Sequence, residues 1–330
     1  MNVCDKISCT MEKIPRKIPG KEARKYLRLV KVEEPCFEEV AEDLGKTVFG
    51  QKEACTALSR VVSRFEAGMT VPHAPAGAVL FLGPVGVGKK EMARAISERM
   101  FGCSDSGNMK MFDCGYEDGL SFNPSFLEEK NIIVFAGIEK APLELWKMLL
   151  SVVSSGRLGI KGGDEDGMGE LFLDFSNSLI ILTMNVGIEE ERVIRKMGFG
   201  AVDENRKVQK STSDQLMECF GGMPELVARL DEMVVFEPLT RESYENIYWK
   251  LVEEMNDCLE GVVFSTTDRL TVALIEEAVD DGRFGAKDME RVVRKRLFLP
   301  LSNVLATTEI ETNFLVGDLG ENGEVEFLMK

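Results

Sequence analysis

The chain has 330 residues, 44 % of them hydrophobic and 29 % charged, which suffices for one large core and a smaller one. Its formal charge of −16 argues against a general nucleic-acid binder, because an acidic surface repels the phosphate backbone. A single histidine, His73, excludes a multi-histidine metal site, and no apolar run reaches the roughly 18 residues a membrane span needs.

The first ten residues lack a long apolar stretch, so no secretory signal is expected, and Asp5 and Glu12 count against a transit peptide. The eight cysteines are scattered without a C-x-x-C pair, the pattern of free thiols in a reducing cytoplasm. Residues 1–45 read as an N-terminal linker arm. Lys13, Arg16, Lys17, Lys21, Arg24, Lys25, Arg28 and Lys31 make it basic, and an acidic stretch runs from Glu33 to Asp43. Ile14-Pro15 and Ile18-Pro19 keep its start extended, because a residue before proline avoids the α region. Such a run is either a solvated linker or a binder of an acidic face.

Residues 46–238 read as a large α/β domain. Lys52–Ala67 is expected to be a helix, with Ala54, Leu58, Val61, Val62 and Phe65 on one face. His73 follows in a proline-bounded loop. Ala78–Leu82 is an unbroken apolar strand, as in a parallel sheet buried on both faces. Further buried strands are expected at Met109–Asp113, Asn131–Phe135, Leu179–Met184 and Met233–Phe236, with helices between most of them. Residues 239–330 read as a small α+β domain. Its helices are expected from Thr240 to about Cys258, over Thr267–Val279 and over Lys287–Leu299. A hairpin is expected from Thr312–Val316 and Val325–Met329.

Gly83-Pro84-Val85-Gly86-Val87-Gly88-Lys89-Lys90 lies between the first strand and a helix, where a phosphate-binding loop belongs. Its glycines let successive N–H groups curl around an anion at a helix N-terminus. Lys89 holds the position that reaches the β- and γ-phosphates. The last residue breaks the pattern: Lys90 stands where a Ser or Thr hydroxyl would bind Mg²⁺. Either its ammonium replaces the metal and neutralises phosphate directly, or it turns to solvent and the site is weaker. Nor is the strand Asn131–Phe135 followed by the expected acids; Ala136 and Gly137 come next.

Together these segments resemble the second AAA+ module of the Clp unfoldases, most of all the ClpC and ClpB type. Val48-Phe49-Gly50-Gln51 matches the motif beside the adenine, and Phe81–Lys89 the Walker A strand and loop. Ile138–Pro142, Gly156–Leu158, Asp174–Asn177, Thr183–Gly187, Pro224–Glu232 and Phe284–Lys287 follow in the family's order, and Ile18–Leu29 resembles the linker entering the module. The resemblance implies an AAA+ P-loop fold, a doubly wound parallel sheet with a small α+β C-terminal domain. It also implies a site for ATP or ADP lined by Val48, Phe49, Gly83, Pro84, Val85, Gly86, Val87, Gly88, Lys89, Lys90, Asn185 (sensor 1) and Lys287.

The departures carry as much meaning. The Walker B aspartate is Ala136, the catalytic glutamate Gly137, and the Walker A threonine Lys90. The sensor-2 arginine is Lys287, which keeps charge but loses the bidentate fork. Glu139 is the nearest surviving acid, matching a different family position. No aromatic-glycine pore loop survives between Asp113 and Asn131; Tyr116 aligns only with the start of that segment. Phosphoryl transfer depends on positioning and charge around the metal. The expected function is therefore a catalytically degenerate module binding ATP or ADP without hydrolysis and without tightly held Mg²⁺. It would act as a regulatory or structural partner of a Clp system. The alternatives are an active unfoldase subunit and a nucleotide-free adaptor. Arg229 holds the arginine-finger position, where it either acts on a neighbour's nucleotide or pairs with Asp231 or Glu232. Met197-Gly198-Phe199 falls where the ClpA and ClpC type docks on the ClpP peptidase; otherwise Phe199 packs internally. Expected partners are Clp-type AAA+ subunits, of this chain or another, and ClpP, in the cytoplasm.

Overall fold

The computed structural model describes residues 37–69, 71, 73–103, 107–115, 124–161, 170–186, 224–259, 261–307 and 314–329. Two compact units divide the chain, Met1–Cys36 and Phe37–Lys330, and every described residue belongs to the second.

Five parallel strands make the central sheet: β1 (Gly77–Gly83), β2 (Met109–Asp113), β3 (Asn131–Ala136), β6 (Ser178–Asn185) and β7 (Glu232–Val235), in the order β2-β3-β6-β1-β7. Every residue of β1 and β3 is buried, as their unbroken apolar runs require. Alternate side chains feed two cores. Val79 and Phe81 of β1 pack with helices α1 (Phe37–Thr47), α2 (Lys52–Glu66) and α3 (Lys89–Phe101). Ala78, Leu80 and Leu82 pack on the other face, against α5 (Leu143–Ser155), which follows the short α4 (Pro124–Glu128). The expected doubly wound layer is thus present. Helix α1 lies across residues 45 and 46, burying Val40 and Leu44 in the first core. His73 sits in an exposed loop with φ 63°, and Cys55, Cys103, Cys114 and Cys258 are free thiols.

An antiparallel pair, β4 (Arg157–Lys161) and β5 (Glu170–Asp174), stands apart from the main sheet. The short helix α6 (Pro224–Val227) leads into β7. The small C-terminal domain then follows. Thr240 caps α7 (Arg241–Asp257), its Oγ1 accepting from Ser243 N, and Thr267 caps α8 (Asp268–Asp281) by accepting from Leu270 N. Its sheet is mixed: β8 (Val263–Thr266) pairs parallel with β9 (Phe314–Leu319), which pairs antiparallel with β10 (Val325–Met329). The helix expected over Lys287–Leu299 is longer. It begins as α9 (Ala286–Val293), widens to a π turn over Arg294–Phe298 and continues as α10 (Leu299–Thr307). Pro300 lacks an N–H and crowds the preceding turn, and the wider turn accommodates it without ending the helix. No described helix is long and apolar enough to cross a membrane.

Candidate nucleotide site

The carboxyl ends of the parallel strands bring the sequence-predicted residues to one edge, where open α/β sheets bind ligands. Register places Gly83 opposite Asn185, Asp113 opposite Ala136, and Ala136 opposite Thr183. Beyond β1 the loop turns through Gly86 at φ 79° and Gly88 at φ 98°, and Gly88 opens α3. The small domain leans directly on this loop. Ala286 N donates to Gly86 O at 2.9 Å, and a Cβ on Gly86 would lie 1.7 Å from Phe284 O. Only glycine fits there.

Lys89 is buried, at 7 % exposure, and its Nζ donates to the loop carbonyls of Gly83 (2.5 Å) and Pro84 (2.6 Å). The ammonium is thereby folded inward beneath the loop. Pro84 and Gly86 are half-buried, Val85 is exposed, and Val87 is buried in the first core. Val48 is buried next to Gly88, and Phe49 lines a groove that it shares with Trp249 and Lys250 of α7. Gln51, 2 % exposed, braces the loop: its Nε2 donates to Val87 O and Glu237 O, and its Oε1 accepts from Glu237 N.

At the end of β3 the picture changes. Ala136 is 1 % exposed and belongs to the strand's continuous apolar run. Gly137 has φ 74° and ψ 47°, and its N–H donates to the carbonyl (2.9 Å) and Oγ1 (3.2 Å) of Thr183. A short 3₁₀ turn, Ile138–Lys140, carries Glu139 back to β6. There its carboxylate accepts from Asn185 Nδ2 at 2.6 Å and from Asn185 N at 3.2 Å. The sensor-1 position is therefore held by an acid that is not the expected catalytic one.

Lys90 follows neither sequence expectation fully. Its side chain is 50 % exposed, and its Nζ lies 3.9 Å from Asp113 Oδ2, an acid the sequence reading passed over. Asp113 Oδ1 also accepts from Gly115 N. Cys114, next in the chain, is buried. Burial, then the carboxylates of Asp113 and Glu139, push its thiol up to about 12, with Lys90 opposing. At the three positions that the Clp resemblance assigns to magnesium and the attacking water, the chain presents an ammonium (Lys90), a methyl group (Ala136) and a bare α-carbon (Gly137). None is a Mg²⁺ ligand, and no cluster of three His, Cys, Asp or Glu fit to hold a metal occurs among the described residues.

Lys287 is exposed at the start of α9, on the turn that touches the loop. The turn is locked by Asp288, 1 % exposed, whose Oδ2 accepts from Phe284 N at 2.7 Å in the manner of half a capping box. Arg229 is exposed and pairs with neither of its expected acids. Asp231 is taken by Arg64 at 2.7 Å and accepts from Ala78 N, while Arg60 is the cation acting on Glu232. Met197, Gly198 and Phe199 lie outside the described residues, as does Tyr116.

No family model matches the chain. The ATP-dependent Clp protease ATP-binding subunit ClpC of Staphylococcus saprophyticus is 29 % identical over 325 residues, covering 91 % of this chain and 38 % of that protein. The ClpC of Staphylococcus aureus is 31 % identical over 284 residues, covering 79 % and 34 %. A cryo-EM structure of Hsp104 with ATPγS and FITC-casein superposes with a TM-score of 0.68 at 21 % identity, over 91 % of this chain and 53 % of that one. The likenesses support a Clp/Hsp100 AAA+ module. The module spans little more than a third of the length of the ClpC relatives. Its fold is the AAA+ fold, a parallel sheet with a small C-terminal domain.

Proposed function

We propose that this module binds ATP or ADP, does not hydrolyse it, and serves as a regulatory or structural partner of a Clp chaperone–protease system in the cytoplasm. One observation carries the reading: the glycines and Lys89 of a phosphate loop face a strand end at which Ala136 and Gly137 stand where the Clp resemblance expects two acids, and Lys90 stands where it expects the metal-binding hydroxyl. In this reading residues 46–238 form the nucleotide-binding domain and 239–330 the small domain. Val48 and Phe49 lie beside the base. The main-chain N–H groups of the Gly83–Gly88 loop, Pro84 excepted, cradle the phosphates, with Lys89, Asn185 and Lys287 around the γ-phosphate and no tightly held Mg²⁺. Arg229, free of Asp231 and Glu232, suits a finger reaching a neighbouring subunit's nucleotide. Met197, Gly198 and Phe199 would contact ClpP, and Clp-type AAA+ subunits would be the ring partners.

Hydrolysis needs a polarised water and a neutralised leaving group. Glu139 suits the base role poorly, because both of its carboxylate oxygens are turned toward Asn185. The test is a turnover assay on the purified chain with ATP and Mg²⁺, run beside equilibrium nucleotide binding. Binding with no turnover above background is expected. Mg²⁺-dependent turnover at the rate of an active Clp ATPase would overturn the reading.

A further inference from the structure

We propose that the module prefers nucleotide free of metal, and that Asp113 holds Lys90 as the counter-ion which the phosphates then take over. This rests on the nucleotide-binding reading above and goes further, because it predicts the sign of the magnesium effect.

Three observations lead there. First, Lys90 is the residue after Lys89, in the opening turn of α3, so its ammonium starts beside the phosphate loop at a helix N-terminus. Second, β2–β3 pairing sets Asp113 level with Ala136, so a carboxylate on the adjoining strand flanks the vacated metal position, and Lys90 Nζ reaches it at 3.9 Å. The two side chains are 50 % and 42 % exposed. A pair this long and this exposed holds weakly, so its ammonium exchanges readily for a phosphate. Third, the other carboxylate in the cluster is committed elsewhere, since Glu139 is bound by Asn185. Asp113 is left as the carboxylate that faces Lys90.

A metal-free nucleoside triphosphate carries charge enough to engage two lysines. Its magnesium chelate has lost much of that charge and brings a divalent cation toward the ammonium, where like charges repel. Asp113 is the carboxylate that flanks this position, and one such ligand offsets only part of that repulsion. Magnesium therefore weakens binding.

The test is calorimetric titration of the whole chain with ATP, and separately ADP, in EDTA and in excess Mg²⁺. Hydrogen bonds to charged groups set the scale: ATP is expected to bind about tenfold more tightly in EDTA. Lys90→Met should cost about tenfold in EDTA, and Asp113→Asn should gain about threefold by releasing the ammonium. Lys90→Thr should abolish or invert the magnesium effect. Thermal melting of each variant checks that the fold is kept. Binding as tight or tighter with Mg²⁺ in the unaltered chain overturns this inference and leaves the nucleotide reading standing. A magnesium penalty that persists in Lys90→Thr overturns the assignment to Lys90. No binding of either nucleotide in either buffer sinks both readings.

Discussion

Along the phosphate loop the recognising groups are main-chain amides and glycine geometry; at the end of β3 they would have been side chains. The two regions face each other across one site: the loop keeps its glycines and Lys89, while the strand end presents Ala136 and Gly137. Packing explains why. Gly86 lies under Phe284 O, so the loop is also a seat for the small domain and any larger residue would disturb the fold. Ala136 fits the buried face it occupies, and Gly137 keeps both its hydrogen bonds to Thr183. A chain can lose those acids without losing structure. An intact loop is thus weaker evidence of catalysis than an intact strand end.

The sharpest way to break this contrast is Ala136→Asp. An unpaired carboxylate at 1 % exposure should destabilise the chain by about 3 kcal/mol in urea unfolding. Recovery of that stability on adding Mg²⁺ would show that the metal half has survived. Next comes Gly86→Val, expected to cost about 2 kcal/mol through overpacking against Phe284 and to lower the melting temperature. An unchanged melt would remove the structural reason for the loop's retention. The smallest effect concerns the ion pair between Lys250 Nζ of α7 and Glu91 Oε1 of α3, at 2.9 Å. Burial pushes the Glu91 carboxyl up, but the nearby Lys250 and Arg94 reverse this, and it ends below its ordinary 4.5. A lowered folded value means the stabilisation is present above that pH and is lost as pH falls through the folded value. With a third of each side chain exposed, about 0.5 kcal/mol is at stake. Lys250→Met should flatten the acid side of the stability–pH curve by that amount.

The sheet was largely legible from the chain alone. Ala78–Leu82 and Ile132–Phe135 are apolar without interruption, and such runs fit a strand covered on both faces. The caps at Thr240 and Thr267 announced α7 and α8 through local chemistry. What escaped depended on partners distant in sequence. The strand Val263–Thr266 is four residues long and exists because β9 lies beside it. The pair β4–β5 has no comparable apolar run. The helix expected to end at Leu299 runs on to Thr307 through a π turn. In the site, the loop was readable because glycines mark it. Asp113 was not, since nothing local distinguishes an aspartate at a strand end; only the register with β3 sets it opposite Ala136. The same holds for Asp231, whose partner Arg64 lies on α2.

Gly137 has one more consequence. At φ 74° its backbone is of a handedness that costs an L-residue about 1–2 kcal/mol. Placing a carboxylate there asks for more than a changed codon: the peptide must also turn over, against the two hydrogen bonds that Gly137 N–H donates to Thr183. Its neighbour Ala136 adds a second toll, because an acid arriving alone would be stranded in the core. On the non-hydrolysing reading proposed above, placing either acid at this strand end is uphill, so the fold itself opposes each single substitution.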